Sequence, residues 1–219
     1  MSIRRTPFVN EEFYHIFNRG VDKRVIFMNQ EDTQRFFQGM DEFNTLNPIG
    51  SIFENSFRKK SPLGSEASKS RKTSKKLVDF ICFCLIKNHY HFILKQVSNQ
   101  GIEKFMHRLS TGYTKYFNIK HKRSGVLFQG PFKSVHIGEN NQLLHTSVYV
   151  NLNFKIHQLG SEASKLSSWD EYIGKTEDSF CQKKDILSQF KSKDDYKKYA
   201  LDNLPSILER KETLRELEK

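Results

Sequence analysis

The sequence predicts an α+β domain, a ferredoxin-like antiparallel sheet with helices on one face. Three observations carry this. Strand-length apolar runs and helix-period segments follow one another in the order β-α-β-β-α-β. The two middle strands are separated only by Ile86-Lys87-Asn88, a hairpin connection. The chain has 219 residues, enough for one core with extensions, and no segment long enough to span a membrane.

Glu12 to Asn18 reads as the first strand. Asn29 to Asn44 reads as a helix with Asp32, Arg35 and Asp41 outward and Phe36, Phe37, Met40 and Phe43 inward. A polar stretch follows, 48–76. From Arg58 to Lys76 it holds eight Lys or Arg and the single acid Glu66, is rich in Ser and lacks apolar periodicity, so it reads as an inserted basic loop. Val78 to Leu85 is an apolar run read as a buried strand, and His89 to Leu94 is its returning partner. Ile102 to Asn118 reads as a second helix that buries Phe105, Leu109 and Tyr116. Phe128 to Ile137 reads as the last strand and Asn140 to about Ile156 as the last helix of the domain. This sets a domain over 1–174 and a C-terminal helical extension over 175–219, with short polar helices at 183–190 and 206–219. The extension reads equally as a solvated tail or a nucleic-acid clamp.

Residues two apart on a strand share a face, so His89 and His91 project together. Two neutral imidazoles at that spacing suit one divalent cation. By itself a His-x-His pair on a strand is more often packing and surface. A second element, Tyr149-Val150-Asn151-Leu152-Asn153, reverses that weighting. Tyr149 and Asn153 are four apart and lie on one helical face. If that face covers the histidines, the site has three neutral metal ligands and a phenol. Such a set suits phosphoryl transfer at a phosphodiester, with the cation polarising the phosphate and the phenol attacking it. Tyr113 and Tyr116 are rival nucleophiles, but Phe117 and Lys120 stand where Tyr149 has Asn153. His15 and His136 read as residues at the edge of the site, His15 as structural or a DNA contact.

Several stretches in order resemble the single-tyrosine HUH transposases, and within them the REP-associated tyrosine transposases. Phe13-Tyr14-His15-Ile16-Phe17-Asn18-Arg19-Gly20-Val21 resembles the family's opening strand and turn. Ile86-Lys87-Asn88-His89-Tyr90-His91 resembles its Met-Pro-Asn-His-x-His strand, with Ile-Lys in place of Met-Pro. Tyr113 to Asn118 and Gly125 to Ser134 resemble its central helix and following strand. Tyr149 to Asn153 resembles the segment that carries the nucleophile, and Ser167 to Tyr172 a Trp-Ser-Ser-Tyr segment in shuffled order. The resemblance covers roughly residues 8 to 174.

It implies an HUH nuclease fold, Tyr149 as nucleophile, and His89, His91 and Asn153 as ligands of Mg2+ or Mn2+. It also implies cleavage of single-stranded or hairpin DNA through a 5′-phosphotyrosine, with DNA transposition as the outcome. Phe154 stands where the family usually has Pro, so the helix is expected to continue there. The expected DNA contacts are Arg19, Lys133, Arg58, Lys59, Lys60, Arg71 and Lys72. Two rival readings are kept: a domesticated hairpin-binding protein without chemistry, and a plasmid-type relaxase or replication initiator, which the short chain disfavours.

Composition agrees. Lys plus Arg number 36 against 25 Asp plus Glu, a net charge of +11 that favours a polyanionic partner. The 19 Phe and 8 Tyr include faces on which unpaired bases can stack, though most of the Phe fall in core positions. Cys82, Cys84 and Cys181 give neither a disulfide framework nor a zinc pattern. The N-terminus has no apolar stretch after its basic residues, so the expected location is cytoplasmic, without membrane partners, as monomer or homodimer.

One repeat stands apart. Leu63-Gly64-Ser65-Glu66-Ala67-Ser68-Lys69 recurs as Leu159-Gly160-Ser161-Glu162-Ala163-Ser164-Lys165, with no surrounding hydrophobic repeat. Codon degeneracy allows each copy to be encoded as a perfect inverted repeat around its middle codon, which suggests remnants of a mobile DNA palindrome; the gene sequence decides this. Val126-Leu127-Phe128-Gln129-Gly130-Pro131 looks like a protease-tag remnant but sits inside the chain and reads as native.

Overall fold

The structure is a computed structural model that describes residues 7–60, 75–177 and 179–217. The first copy of the repeated heptad, at 63–69, lies outside them. The expected fold class holds: a four-stranded antiparallel sheet with helices, in the strand order β2-β3-β1-β4. The strands are β1 (Phe13–Arg19), β2 (Val78–Ile86), β3 (His89–Gln96) and β4 (Lys133–Ile137). β1 and β4 pair antiparallel with Phe13 opposite Ile137 and Phe17 opposite Lys133. The chain divides into two interleaved compact units.

The first unit comprises residues 1–11, 19–79 and 96–132. It holds the helices α1 (Gln30–Glu42), α2 (Ile52–Lys60) and α3 (Gly101–Lys120). Asn29 caps α1, its side chain accepting from the Asp32 N–H at 3.1 Å. Phe36 of α1 meets Tyr113 of α3 edge to face, ring centroids 4.9 Å apart.

Four sequence expectations are corrected here. Asp32, read as outward, is fully buried, because Lys120 and His121 at the end of α3 bond its carboxylate at 2.9 and 3.0 Å. Tyr116, read as buried, is only partly so; Tyr113 and Phe117 take the inner face with Phe105 and Leu109. The polar stretch also contains helix α2. Ser51 Oγ accepts from the Glu54 N–H and Glu54 Oε2 accepts from the Ser51 N–H, both at 3.1 Å, a capping box. The expected strand from Phe128 begins only at Lys133, after one isolated bridge between Gly20 and Phe128. Gly130, at φ +69°, and Pro131 account for the break: the first turns the chain and the second has no N–H for a ladder.

The second unit comprises residues 12–18, 80–95 and 133–219. It holds most of the sheet and the helices α4 (Asn140–Asn151), α5 (Asn153–Ile156), α6 (Trp169–Tyr172), α7 (Lys184–Leu187) and α8 (Lys193–Leu217). β2 is an edge strand, yet it is buried from Phe80 to Ile86. Two later residues cover its edge: Ser168 N–H donates to Phe83 O at 2.9 Å, and Gln182 N–H to Phe80 O at 2.8 Å. Cys82 and Cys84 are packing residues in this core, and burial pushes the Cys84 thiol up to about 12.

The second heptad copy forms a short 3-10 helix, Ser161–Leu166. Part of the expected C-terminal extension is packed into the core and is not a solvated tail. Tyr196 and Ala200 of α8 are fully buried in the same core as Val148, Leu152 and Trp169.

Candidate active site

β1 alternates inward and outward residues, with Tyr14, Ile16 and Asn18 buried and Phe13, His15 and Phe17 on the other face. That face carries His15 to His91 of β3. His15 Nε2 lies 2.9 Å from His91 Nδ1, and the two rings stack with centroids 5.1 Å apart. Phe17 stacks on His91 from the same strand, at 5.6 Å. His91 is 7 % exposed. Burial also pushes the His15 imidazole down to about 4, so it is neutral at neutral pH. His89, on the same side of β3, has its ring edge-on to His91 at 5.2 Å. Its Nδ1 is 2.6 Å from Asn88 Oδ1, and its ring lies 4.7 Å from that of His157.

Helix α4 brings Tyr149 onto this group. Its ring meets His91 edge-on at 5.3 Å and His15 at 5.8 Å. Burial raises the Tyr149 phenol pKa; the Asn153 amide opposes that rise and Cys84 adds to it. The helix does not run through as expected. α4 ends at Asn151, Leu152 turns at φ −101° and ψ 12°, and α5 starts at Asn153. Phe154 is helical, so the chain does continue as helix there, after a break two residues earlier.

Asn153 is fully buried, and neither its Oδ1 nor its Nδ2 has a hydrogen-bond partner. Its amide therefore lies near enough to bias the phenol without bonding it. An unsatisfied buried amide costs free energy, and a ligand is one explanation for keeping it. Among the described residues no group of three or more His, Cys, Asp or Glu forms a metal cage. The orphaned Asn153 amide oxygen and the two strand imidazoles are donor types that fit a divalent cation.

The far side of α4 explains how Tyr149 is held. Ser147 and Asn151 are four apart and about 200° around the helix from Tyr149. Asn151 Nδ2 donates to the Tyr196 hydroxyl at 2.9 Å, and Tyr196 bonds Ser147 Oγ at 3.1 Å. Ser168 Oγ donates to Asn151 Oδ1 at 2.6 Å and accepts from the Phe83 N–H at 2.9 Å. This buried network ties the tyrosine helix to α8 and to β2. It was not read from the sequence, although Ser147 and Asn151 at helical spacing within an apolar stripe were the signal. His157 was likewise missed.

Arg19 ends β1 and bonds Gln129 Oε1 at 3.3 and 3.4 Å. Lys133 is exposed at the start of β4. Arg58, Lys59 and Lys60 form the last turn of α2, not a loop, and Arg71 and Lys72 lie outside the described residues. His136 pairs with Glu12 at 2.9 Å at the sheet edge. The rival Tyr113 is buried in the first unit, its hydroxyl donating to Ile26 O at 2.5 Å, and Tyr116 lies 3.4 Å from Asp32 Oδ1.

The site therefore pairs two strand histidines with a helix tyrosine on an antiparallel sheet. The family model described as "Transposase IS200 like" matches residues 54–153, the stretch that carries His89, His91, Tyr149 and Asn153. That match spans a little under half of the chain, which over this stretch is similar to the IS200-like transposases. Among solved structures it is similar to a REP-associated tyrosine transposase bound to a REP hairpin. That likeness has a TM-score of 0.50 and 13% identity, and covers 80% of this chain and 86% of the other. A second similar structure is tRNA(His) guanylyltransferase from Saccharomyces cerevisiae. Its 10% identity, coverage of 91% and 75% and TM-score of 0.34 carry no argument. No curated protein matches the chain. Among the described residues no helix is long and apolar enough to cross a membrane.

Proposed function

We propose that this protein cleaves and rejoins single-stranded DNA folded as a hairpin, through a covalent tyrosine intermediate, in transposition. The observation that carries the reading is the contact of Tyr149 with His91, rings 5.3 Å apart, beside His89 within one compact unit. The hairpin substrate is taken from the similar structure, which holds a REP hairpin.

In this reading Tyr149 Oη attacks the scissile phosphorus in line. The new O–P bond forms as the P–O3′ bond breaks, leaving a 5′-phosphotyrosine and a strand with a 3′-OH. The phenolic proton passes to solvent and the departing 3′ oxygen gains one. A later 3′-OH reverses the step and joins a new strand. The raised phenol pKa keeps Tyr149 protonated in the resting protein. His89, His91 and Asn153 would hold Mg2+ or Mn2+. What the bound cation supplies is polarisation and orientation of the phosphate. Arg19 and Lys133 serve as phosphate contacts, so binding weakens as salt rises.

A second reading, a hairpin binder without chemistry, draws on the lack of a ready-made cage of three ionisable ligands among the described residues. One experiment separates the two. A labelled hairpin oligonucleotide from the repeats flanking the gene is incubated with wild type and Tyr149→Phe, in Mn2+ or EDTA, and run on denaturing gels. A metal-dependent covalent band absent from Tyr149→Phe is the expected result. Hairpin binding that persists in EDTA and in Tyr149→Phe, with no adduct, favours the binder.

A further inference from the structure

His15 is not a ligand in the set proposed above, yet its ring nitrogen lies within hydrogen-bond distance of one. His15 Nε2 and His91 Nδ1 are 2.9 Å apart, so one of them carries the shared proton. The two possible senses have opposite consequences for His91. If His15 donates, a neutral His91 must carry its own proton on Nε2, and that nitrogen cannot ligate a cation. If His91 donates from Nδ1, its Nε2 holds the lone pair, and the proton of His15 resides on its Nδ1. The neighbouring histidine points to the second sense. His89 Nδ1 faces the Asn88 amide oxygen at 2.6 Å, an acceptor that requires Nδ1–H and leaves the lone pair on Nε2. Both histidines of the pair thus have a partner built in at Nδ1, and both present the same nitrogen. The sheet fixes the arrangement. His15 and Phe17 are two apart on β1, and both stack on His91, so the imidazole plane is held between them and the Tyr149 edge.

We infer that His15 is the positioning residue of the site: it accepts from His91 Nδ1–H, fixes that tautomer and ring plane, and thereby presents Nε2 for a divalent cation. The inference rests on the metal reading above but is decided separately from it.

The test uses the full-length, metal-free protein with 15N-labelled histidine. Long-range 1H–15N correlation assigns the His91 tautomer in wild type, His15→Phe and His15→Gln. Phe keeps a stacking ring without an acceptor; Gln restores an acceptor oxygen. The expected result is Nδ1–H at His91 in wild type and Gln, and a mixed or Nε2–H population in Phe. Mn2+ binding, followed without DNA by electron paramagnetic resonance, is expected to weaken roughly 10- to 100-fold in Phe and to recover in Gln. An Nε2–H tautomer in wild type, or one unchanged in a folded His15→Phe, overturns the inference. A wild type that carries Nδ1–H but binds no Mn2+ overturns the metal reading while leaving the His15 assignment standing.

Discussion

Asn151 Nδ2 donates to the Tyr196 hydroxyl at 2.9 Å across 45 residues of chain, fastening the tyrosine helix to the C-terminal helix. Tyr196 in turn bonds Ser147, whose own hydroxyl donates to Leu144 O at 2.7 Å, so each polar atom of this chain of bonds is satisfied. Removing one hydroxyl from a satisfied buried network leaves its former donor stranded. Tyr196→Phe is therefore expected to lose about 1–3 kcal/mol in urea unfolding. It should also slow adduct formation at Tyr149 without changing hairpin affinity, which a gel-shift titration beside the adduct assay would check. Equal stability and equal rate would show that α8 does not position Tyr149.

Asp32 gives the pH dependence. Burial alone would raise its carboxyl pKa, but Lys120, the Met28 N–H and His121 more than offset that and hold it below the ordinary carboxylate range. A depressed folded pKa means stability that is complete above the unfolded value and lost as pH falls through the folded one. Wild type should therefore lose stability on acidification below about pH 4. Asp32→Asn should lower the urea midpoint at pH 7 and flatten this acid limb. A parallel, unflattened limb in the variant would assign the acid sensitivity to other groups.

Why some of this was legible and some not follows from where the partners lie. His89 and His91 are two apart on one strand, and Tyr149 and Asn153 are four apart in sequence, so local spacing carried them. The Ser51-Ile52-Phe53-Glu54 capping box was equally local but sat inside a stretch read by composition alone, and α2 was missed. Asp32 was read as outward because a charged residue near a helix start is normally solvated. Lys120 and His121, nearly 90 residues on, bury it. His15 and Tyr196 share that difficulty, since each acquires its role from a side chain 45 or more residues away. The fold class followed from element order, whereas the network holding the site depended on tertiary pairings that no local pattern records.

Tyr113 tests the choice of nucleophile from the other side. Its hydroxyl is buried and donates to Ile26 O, and burial raises its pKa strongly. A phenol committed to a backbone carbonyl in the core serves stability. Tyr113→Phe should destabilise by about 1 kcal/mol, the net worth of one buried hydrogen bond, and form the covalent adduct at the wild-type rate. Loss of the adduct in a folded Tyr113→Phe would shift the nucleophile away from Tyr149.

Asn153 separates a ligand from a packing residue. Both polar atoms of its amide are buried without a partner, while the same amide biases the Tyr149 phenol. A buried amide in that state costs about 1–3 kcal/mol relative to a bonded one, so an apolar side chain of similar volume should be tolerated or preferred. Asn153→Leu is expected to leave the urea midpoint of the metal-free protein unchanged or raised. It should also weaken Mn2+ binding and suppress the metal-dependent adduct at Tyr149. On the proposed metal reading, stability and metal binding are predicted to move in opposite directions. If Asn153→Leu instead unfolds more readily and binds Mn2+ as wild type does, Asn153 is a structural residue and the third donor must be sought elsewhere, with His157, its ring 4.7 Å from that of His89, the next to substitute.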